Sequence, residues 1–330
     1  MNTLIIRTAL KISAICMAGA IMLNILPAIG QTWPDRTIKL VVGSPPGASA
    51  DFMARLVAER VGKSLGQQVV VENRPGAGGV LAVKSVVTSK ADGYTLLLLY
   101  SDNMLVAPYL QKTQPYDPLK DLAYVGAVAR SYNFILAVNP KLPVQTFDDY
   151  IKLAKSSPKR VSFSTYGLGS LPQLGFEIMS AKVGAELLHV PYKGGAESYQ
   201  AAIAGDVDSV AGTSFTELLK SGRLRPLAIG GGKRSAMFPN IPTFAELGFG
   251  DQLFLGVTFG VAAPAGTPRS IIDRLAAELK AITQSPDVAE RLPTVAAEPF
   301  FAGPDEMLSL IRTGVSIYAP LIGKLGLAAQ

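Results

Sequence analysis

Ile38-Lys-Leu-Val-Val42 runs directly into Gly43-Ser-Pro-Pro-Gly-Ala-Ser49, after which helical spacing sets in. The first run is short and β-branched, the second is made of chain breakers and small residues. The third places Phe52, Leu56, Val57 and Val61 on one helical face. A strand that ends in a turn and opens a helix is half of a parallel-sheet unit. The rhythm continues with a strand at Gln68-Val-Val-Val71, the breaker cluster Asn73-Arg-Pro-Gly-Ala-Gly-Gly79 and a helix from Val80 to Thr88. An Asp92-Gly93 turn then leads into a strand from Tyr94 to Leu99. This order indicates a parallel sheet with crossover helices.

A second alternating set begins near Asn133. Its strands are Phe134 to Val138, Val161 to Thr165, Leu187 to Val190, Val207 to Ala211 and Pro226 to Ile229. Helices lie between them, one capped by Thr146 and one opened by Tyr166-Gly-Leu-Gly-Ser170. A long strand, Leu253 to Ala262, and helices from Thr267-Pro268, Pro286 and Pro304 close the chain. No low-complexity linker separates two halves. Two α/β lobes are expected, either sequential or with one interrupting the other, and a ligand cleft between them.

Two loops carry the chemistry. Ser44 to Asp51 and Thr165 to Ser170 each end a strand and open a helix, so each presents free backbone N–H groups and a positive helix end. That arrangement suits a carboxylate without any arginine. Glycine lets the backbone approach closely, and the hydroxyls of Ser44, Ser49, Thr165 and Ser170 add donors. Other chemistries are poorly supplied. The chain has one cysteine and one histidine, His189, which excludes Cys-rich zinc sites and paired-histidine motifs. No G-x-S-x-G nucleophile turn occurs. Gly76-Ala-Gly-Gly79 reads as a tight turn, not a dinucleotide fingerprint. Asp206-Val-Asp208 lacks a third oxygen-rich segment for a cation, and His189 reads as a hydrogen-bonded structural residue. No catalytic residue, metal or cofactor is expected. A secreted α/β enzyme acting on a small carboxylic acid is the alternative to a binding protein.

The 330 residues are 48% hydrophobic and 17% charged, with 31 Lys+Arg against 25 Asp+Glu. A net charge of +6 without a basic run argues against nucleic acid. Arg7 and Lys11 precede an apolar stretch from Ile12 to Leu26, then Pro27 and the small residues Ala28 and Gly30. This is the layout of a secretory signal over residues 1–30, cut before Gln31. Its removal takes away the lone Cys16 and lowers the charge to +4.

At the two loops the sequence resembles the Bug family, the extracytoplasmic solute receptors of tripartite tricarboxylate transporters. The matching segments span the mature chain: Trp33-Pro-Asp-Arg36, Pro45-Pro-Gly47 with Asp51, Glu72-Asn-Arg-Pro-Gly-Ala-Gly-Gly79, Asp92-Gly-Tyr-Thr-Leu96, Gly169-Ser170, His189-Val-Pro-Tyr-Lys-Gly194, Gly205-Asp-Val-Asp208 and Ala263-Pro-Ala-Gly-Thr-Pro268. The resemblance implies a two-lobed, type II periplasmic-binding-protein-like fold, each lobe a mostly parallel sheet flanked by helices. Lobe 1 would comprise 31–131 plus 254–330 and lobe 2 would comprise 132–253, with crossings near residues 130 and 254. It also implies that the loops act as pincers on a small organic acid, delivered to membrane permease subunits by a monomeric receptor.

Carried over, Ser44, Pro45, Gly47, Ala48 and Asp51 form the first pincer, and Thr165, Tyr166, Gly169 and Ser170 the second. Ser49, Gln173, Tyr192, Thr213 and Ser214 are further ligand-binding candidates. There are departures from the family pattern. Ala48 stands where a second glycine is usual, and Gln173 replaces a common histidine. Ser209 to Ser214 lacks an acid that would read an amino or hydroxyl group, which makes an amino-acid ligand less expected. Tyr100, Tyr166, Tyr192 and Phe215 suggest an aromatic distal pocket.

Overall fold

The structure, a computed structural model, describes residues 33–328 apart from 132–133, 157, 159, 214, 231–233, 236–237, 251–255 and 325. The segment 1–30, its cut before Gln31, the crossing near residue 254 and Ser214 therefore lie outside the described residues.

In chain order the strands and helices begin β1 (Ile38–Val42), α1 (Ser49–Leu65), β2 (Val69–Asn73), α2 (Val80–Val87), β3 (Thr95–Tyr100), α3 (Ser101–Leu105) and β4 (Leu122–Ser131). Next come β5 (Ile135–Val138), α4 (Phe147–Ser156), β6 (Ser162–Thr165), α5 (Leu171–Val183), β7 (Leu188–Pro191), α6 (Gly195–Ala204), β8 (Ser209–Gly212), α7 (Thr216–Lys220) and β9 (Arg225–Ile229). The chain ends with β10 (Thr258–Pro264), α8 (Arg269–Thr283), α9 (Pro286–Arg291), β11 (Ala297–Ala302) and α10 (Pro304–Lys324).

Two sheets result. The first runs β11-β4-β10-β3-β1-β2 and the second β7-β6-β8-β5-β9. Both are mixed, where mostly parallel sheets were expected. Only β1 with its neighbours β2 and β3 is parallel in the first, and only β6 with β7 and β8 in the second. The antiparallel pairs arise where the chain comes back: β10 runs against both β3 and β4, β11 against β4, and β5 against β8 and β9.

Local sequence explains the elements around the loops. Ile38, Leu40, Val41 and Val42 of β1 are buried, as a strand covered on both faces requires. Helix α1 buries Met53, Ala54, Leu56, Val57 and Val61, while Phe52 sits half-buried on its flank beneath Arg291. Gly66 ends the helix in the left-handed region. Thr146 and Asp149 cap α4 reciprocally through each other's backbone N–H groups.

Helix α10, from the carboxy-terminal end, packs on α3. A Cβ on its Gly314 would come within 2.6 Å of Leu105, so the glycine permits the close approach. The last helix thus supports the short turn that follows β3.

Candidate functional site

The first loop leaves β1 at Gly43. A Cβ there would lie 2.6 Å from the Gly79 Cα, so two strand-to-helix turns touch backbone to backbone. Tyr100 Oη–H spans them, donating to the carbonyls of Gly43 and Gly78 at 3.2 and 3.4 Å. The turn 76–79 therefore shapes the site's floor, as its glycines suggest.

Gly47, at φ +83°, donates its N–H to Asp51 Oδ2 at 2.9 Å. Asp51 is buried and also accepts from Arg55 Nε and Asn73 Nδ2, and Asn73 donates in turn to the Ser44 carbonyl. Burial pushes the Asp51 carboxyl up, but the bonds from Arg55, Gly47 and Asn73 hold it below its ordinary value. Asp51 braces the loop. Ala48 has φ −74° and ψ 161°, extended backbone that any residue adopts, so the departure from glycine is accommodated without strain. Pro45 and Gly47 are exposed on the crest, Ala48 and Ser49 are half-buried, and Ser44 is buried.

The second loop repeats the device with a neutral acceptor. Gly169, at φ +77°, donates its N–H to Gln173 Oε1 at 2.8 Å. Ser170 Oγ–H donates to the Gly167 carbonyl, and Thr165 Oγ1–H does the same. Thr165 Oγ1 is 2.8 Å from His189 Nε2, and the imidazole stacks on Phe163. With the threonine proton on Gly167, the histidine is the donor in that pair.

Burial lowers the His189 pKa to about 4. An unfolded chain binds that proton near pH 6.5, so stability should be full above pH 6.5 and decline as pH falls toward 4. Urea melts at pH 7 and 5 should show this decline in the native protein and a smaller one in His189→Gln.

The second loop reaches across to α3, which follows β3, the parallel neighbour of β1 whose Tyr100 holds the base of the first loop. Tyr166 Oη–H and the Leu171 N–H both donate to Asp102 Oδ1, at 2.9 and 2.8 Å. Burial, then the charge of Asp102, raises the Tyr166 pKa well above its ordinary value, so the phenol remains a donor. Burial likewise raises the Asp102 pKa, while bonds from Leu171, Tyr166 and its own backbone N–H oppose the rise. Three buried polar atoms on the neighbouring turns after β1 and β3 have no partner among the described residues: Ser44 Oγ, Asp102 Oδ2 and Asn103 Nδ2. A polar ligand is one way to satisfy them.

The remaining candidates divide. Tyr192 is half-buried beside the second loop, its N–H donating to the Thr165 carbonyl. Thr213 follows β8 directly and is half-buried. Phe215 is packed with Tyr199 in the smaller core cluster, centroids 4.8 Å apart, and Tyr100 is occupied by the floor carbonyls. The expected aromatic distal pocket thus shrinks to Tyr166 and Tyr192.

Asp208 accepts the N–H and Oγ–H of Ser162 and has a structural role. No group of three or more potential ligands for a metal is found among the described residues. Two open surface hollows among the described residues lie elsewhere, one against Lys39 and Asp92 and one against Phe147 and Lys182, and hold no candidate residue.

Asp102 and Asn103 are absent from the sequence-based candidates. Their signal was positional: β3 is the parallel neighbour of β1, and ligands gather at the carboxyl ends of parallel strands.

Two mixed α/β sheets, with the strand-end loop of one bonded to the turn after β3 of the other, define a periplasmic-binding-protein fold. Residues 53–327 match the tripartite tricarboxylate transporter family receptors, TctC, and the chain belongs to that family. It is 37% identical over 305 residues to Protein BugT of Bordetella pertussis, covering 91% of this chain and 92% of that one. Among solved structures, R. palustris Rpa4515 with adipate superposes with a TM-score of 0.79 at 31% identity, covering 90% of this chain and 99% of that one. MatC from Rhodopseudomonas palustris with bound malate gives a TM-score of 0.77 at 26% identity, covering 88% and 100%. Members of this family are periplasmic solute receptors working with membrane transporters, not enzymes. No helix among the described residues is long and apolar enough to cross a membrane.

Proposed function

We propose that this receptor captures a small organic carboxylate between the Ser44–Asp51 and Thr165–Ser170 loops and hands it, as a monomer, to the permease subunits of its transporter. Residues 31–131 with 254–330 would form one lobe and 132–253 the other, after removal of residues 1–30. The observation that carries the reading is the contact of the second loop with Asp102, on the turn after the strand that neighbours β1, where buried hydroxyl, amide and carboxylate atoms are left without partners among the described residues.

The adipate and malate of the two similar structures support the ligand class. The braces explain how the loops hold their shape: each crest glycine gives its N–H to a side chain four residues on. The donors left for an anion are Ser44 Oγ–H and the Asn103 amide, held on shaped turns at little further ordering cost.

Protein recovered from the periplasmic fraction should begin at Gln31 and carry a small acid detectable by native mass spectrometry. After its removal, the melting temperature should rise with the concentration of a mono- or dicarboxylate. Absence of any shift across such a panel would count against the reading.

A further inference from the structure

Asp102, at the start of the short helix after β3, takes the second loop's contacts on one oxygen and leaves the other unused among the described residues. Oδ1 takes both donors, Tyr166 Oη–H and Leu171 N–H, while Oδ2 is buried with no partner among the described residues. The residue is only 4% exposed. An ionised carboxylate has about four acceptor positions, and a buried oxygen left without a donor is costly. These donors, and its own backbone N–H, are all uncharged.

Two unused donors lie in the same corner of the fold. Val42 of β1 is in register with Leu98 of β3, so Ser44 and the Ser101–Asn103 turn emerge side by side. Tyr100 Oη is 3.3 Å from the Cβ position of Gly43 and 2.6 Å from that of Gly79, and Asn103 Nδ2 is 3.3 Å from the latter. Asn103 Oδ1 accepts the Tyr100 N–H at 3.1 Å, which fixes the amide with its NH2 group free. The corner therefore offers a hydroxyl, an amide donor and a carboxylate acceptor, all at least nine-tenths buried.

We propose that Asp102 is a specificity-determining residue that reads an ammonium group on a ligand whose carboxylate is held by Ser44 and Asn103. This rests on the carboxylate-receptor reading above and narrows it to amino acids. An ammonium brings Oδ2 both a donor and the opposite charge. A hydroxyl brings the donor alone, and a bare methylene leaves the oxygen unpaired. The order of affinity is therefore amino, hydroxy, unsubstituted. The acid missing after Asp208 is replaced by one from the other side of the cleft.

Calorimetric titration of the mature protein with matched series tests this. Suitable probes are propionate, lactate and alanine; succinate, malate and aspartate; glutarate, 2-hydroxyglutarate and glutamate; and 3-phenylpropionate, 3-phenyllactate and phenylalanine. In whichever series binds, the 2-amino acid should bind at least about tenfold more tightly than the unsubstituted acid. Asp102→Asn, nearly isosteric, should bring that ratio close to one, with thermal melting to verify folding; Asp102→Ser serves if it does not fold. Tyr166→Phe keeps Oδ2 in place and should weaken all members of a series alike. Equal affinity for amino and unsubstituted acids, or a preference surviving in a folded Asp102 variant, overturns the proposal and leaves the receptor reading intact. Binding of no acid in any series by the folded native protein overturns the receptor reading itself.

Discussion

Gly169→Val should weaken ligand binding by roughly thirtyfold, about 2 kcal/mol, while leaving a folded protein. Two separable effects meet at this position. The φ of +77° strains any β-branched residue, whether or not ligand is bound, and so lowers the melting temperature. A Cβ at Gly169 would also lie 2.4 Å from Leu110 Cδ1, on the 3-10 turn that follows α3. That clash exists only while the second loop is seated against the turn, so it appears in affinity. Leu110→Ala should restore most of the lost affinity and none of the lost stability. A double-mutant cycle by calorimetry and thermal melting separates the two, and failure of Leu110→Ala to rescue would show that strain alone is responsible.

Asp51→Ala should cost about 2–3 kcal/mol of stability, or roughly 4–10 °C in melting temperature. The carboxylate is 4% exposed and serves Gly47, Asn73 and Arg55 together. Removing it leaves the Gly47 N–H and the Asn73 amide without their acceptor. Arg55 is largely exposed and regains water, which keeps the loss below that of a fully buried ion pair. Asp51→Asn retains an acceptor for one donor and should lose about half as much. Ligand affinity should fall with the alanine variant as well, because Asn73 also holds the Ser44 carbonyl. Urea unfolding measures the first effect and calorimetry the second. A stability equal to the native protein's would remove Asp51 from the role of brace.

Some of this was legible in the residues and some was not. β1 and α1 follow from hydrophobic spacing, and both pincer loops from glycine and hydroxyl content between strand and helix. β4 and β11 escaped that reading. Leu122-Ala-Tyr-Val-Gly-Ala-Val is rich in alanine and glycine, which have little intrinsic strand preference, and tertiary packing between β10 and β11 makes it a strand. β11 contains Pro299, tolerated because this strand is at the sheet's edge. Missing these two strands hid the antiparallel pairs of β4 in the first sheet; in the second, every strand is anticipated, and what spacing does not reveal is that β5 runs against β8 and β9.

At the site, the glycines and hydroxyls are visible in sequence, but their partners are not. Nothing local in Ser101-Asp-Asn103 says that its carboxylate will meet Tyr166, 64 residues away. Phe215 erred in the other direction. Its side chain is aromatic and next to candidate positions, yet burial against Tyr199 removes it from the distal pocket.

The placement of β10 has a consequence for how such a chain is made and exported. β10 lies between β3 and β4, so a chain stopped before Thr258 has nothing to join β4 to the strands β1 to β3. All strands of the second sheet fall within 135–229 and are complete earlier in synthesis. The first sheet therefore stays unfinished until most of the polypeptide has been synthesised, since its closing contacts join residues more than 100 positions apart. For a receptor of a periplasmic family that delay is useful: a nascent chain that cannot complete half of its fold remains threadable through a translocation channel.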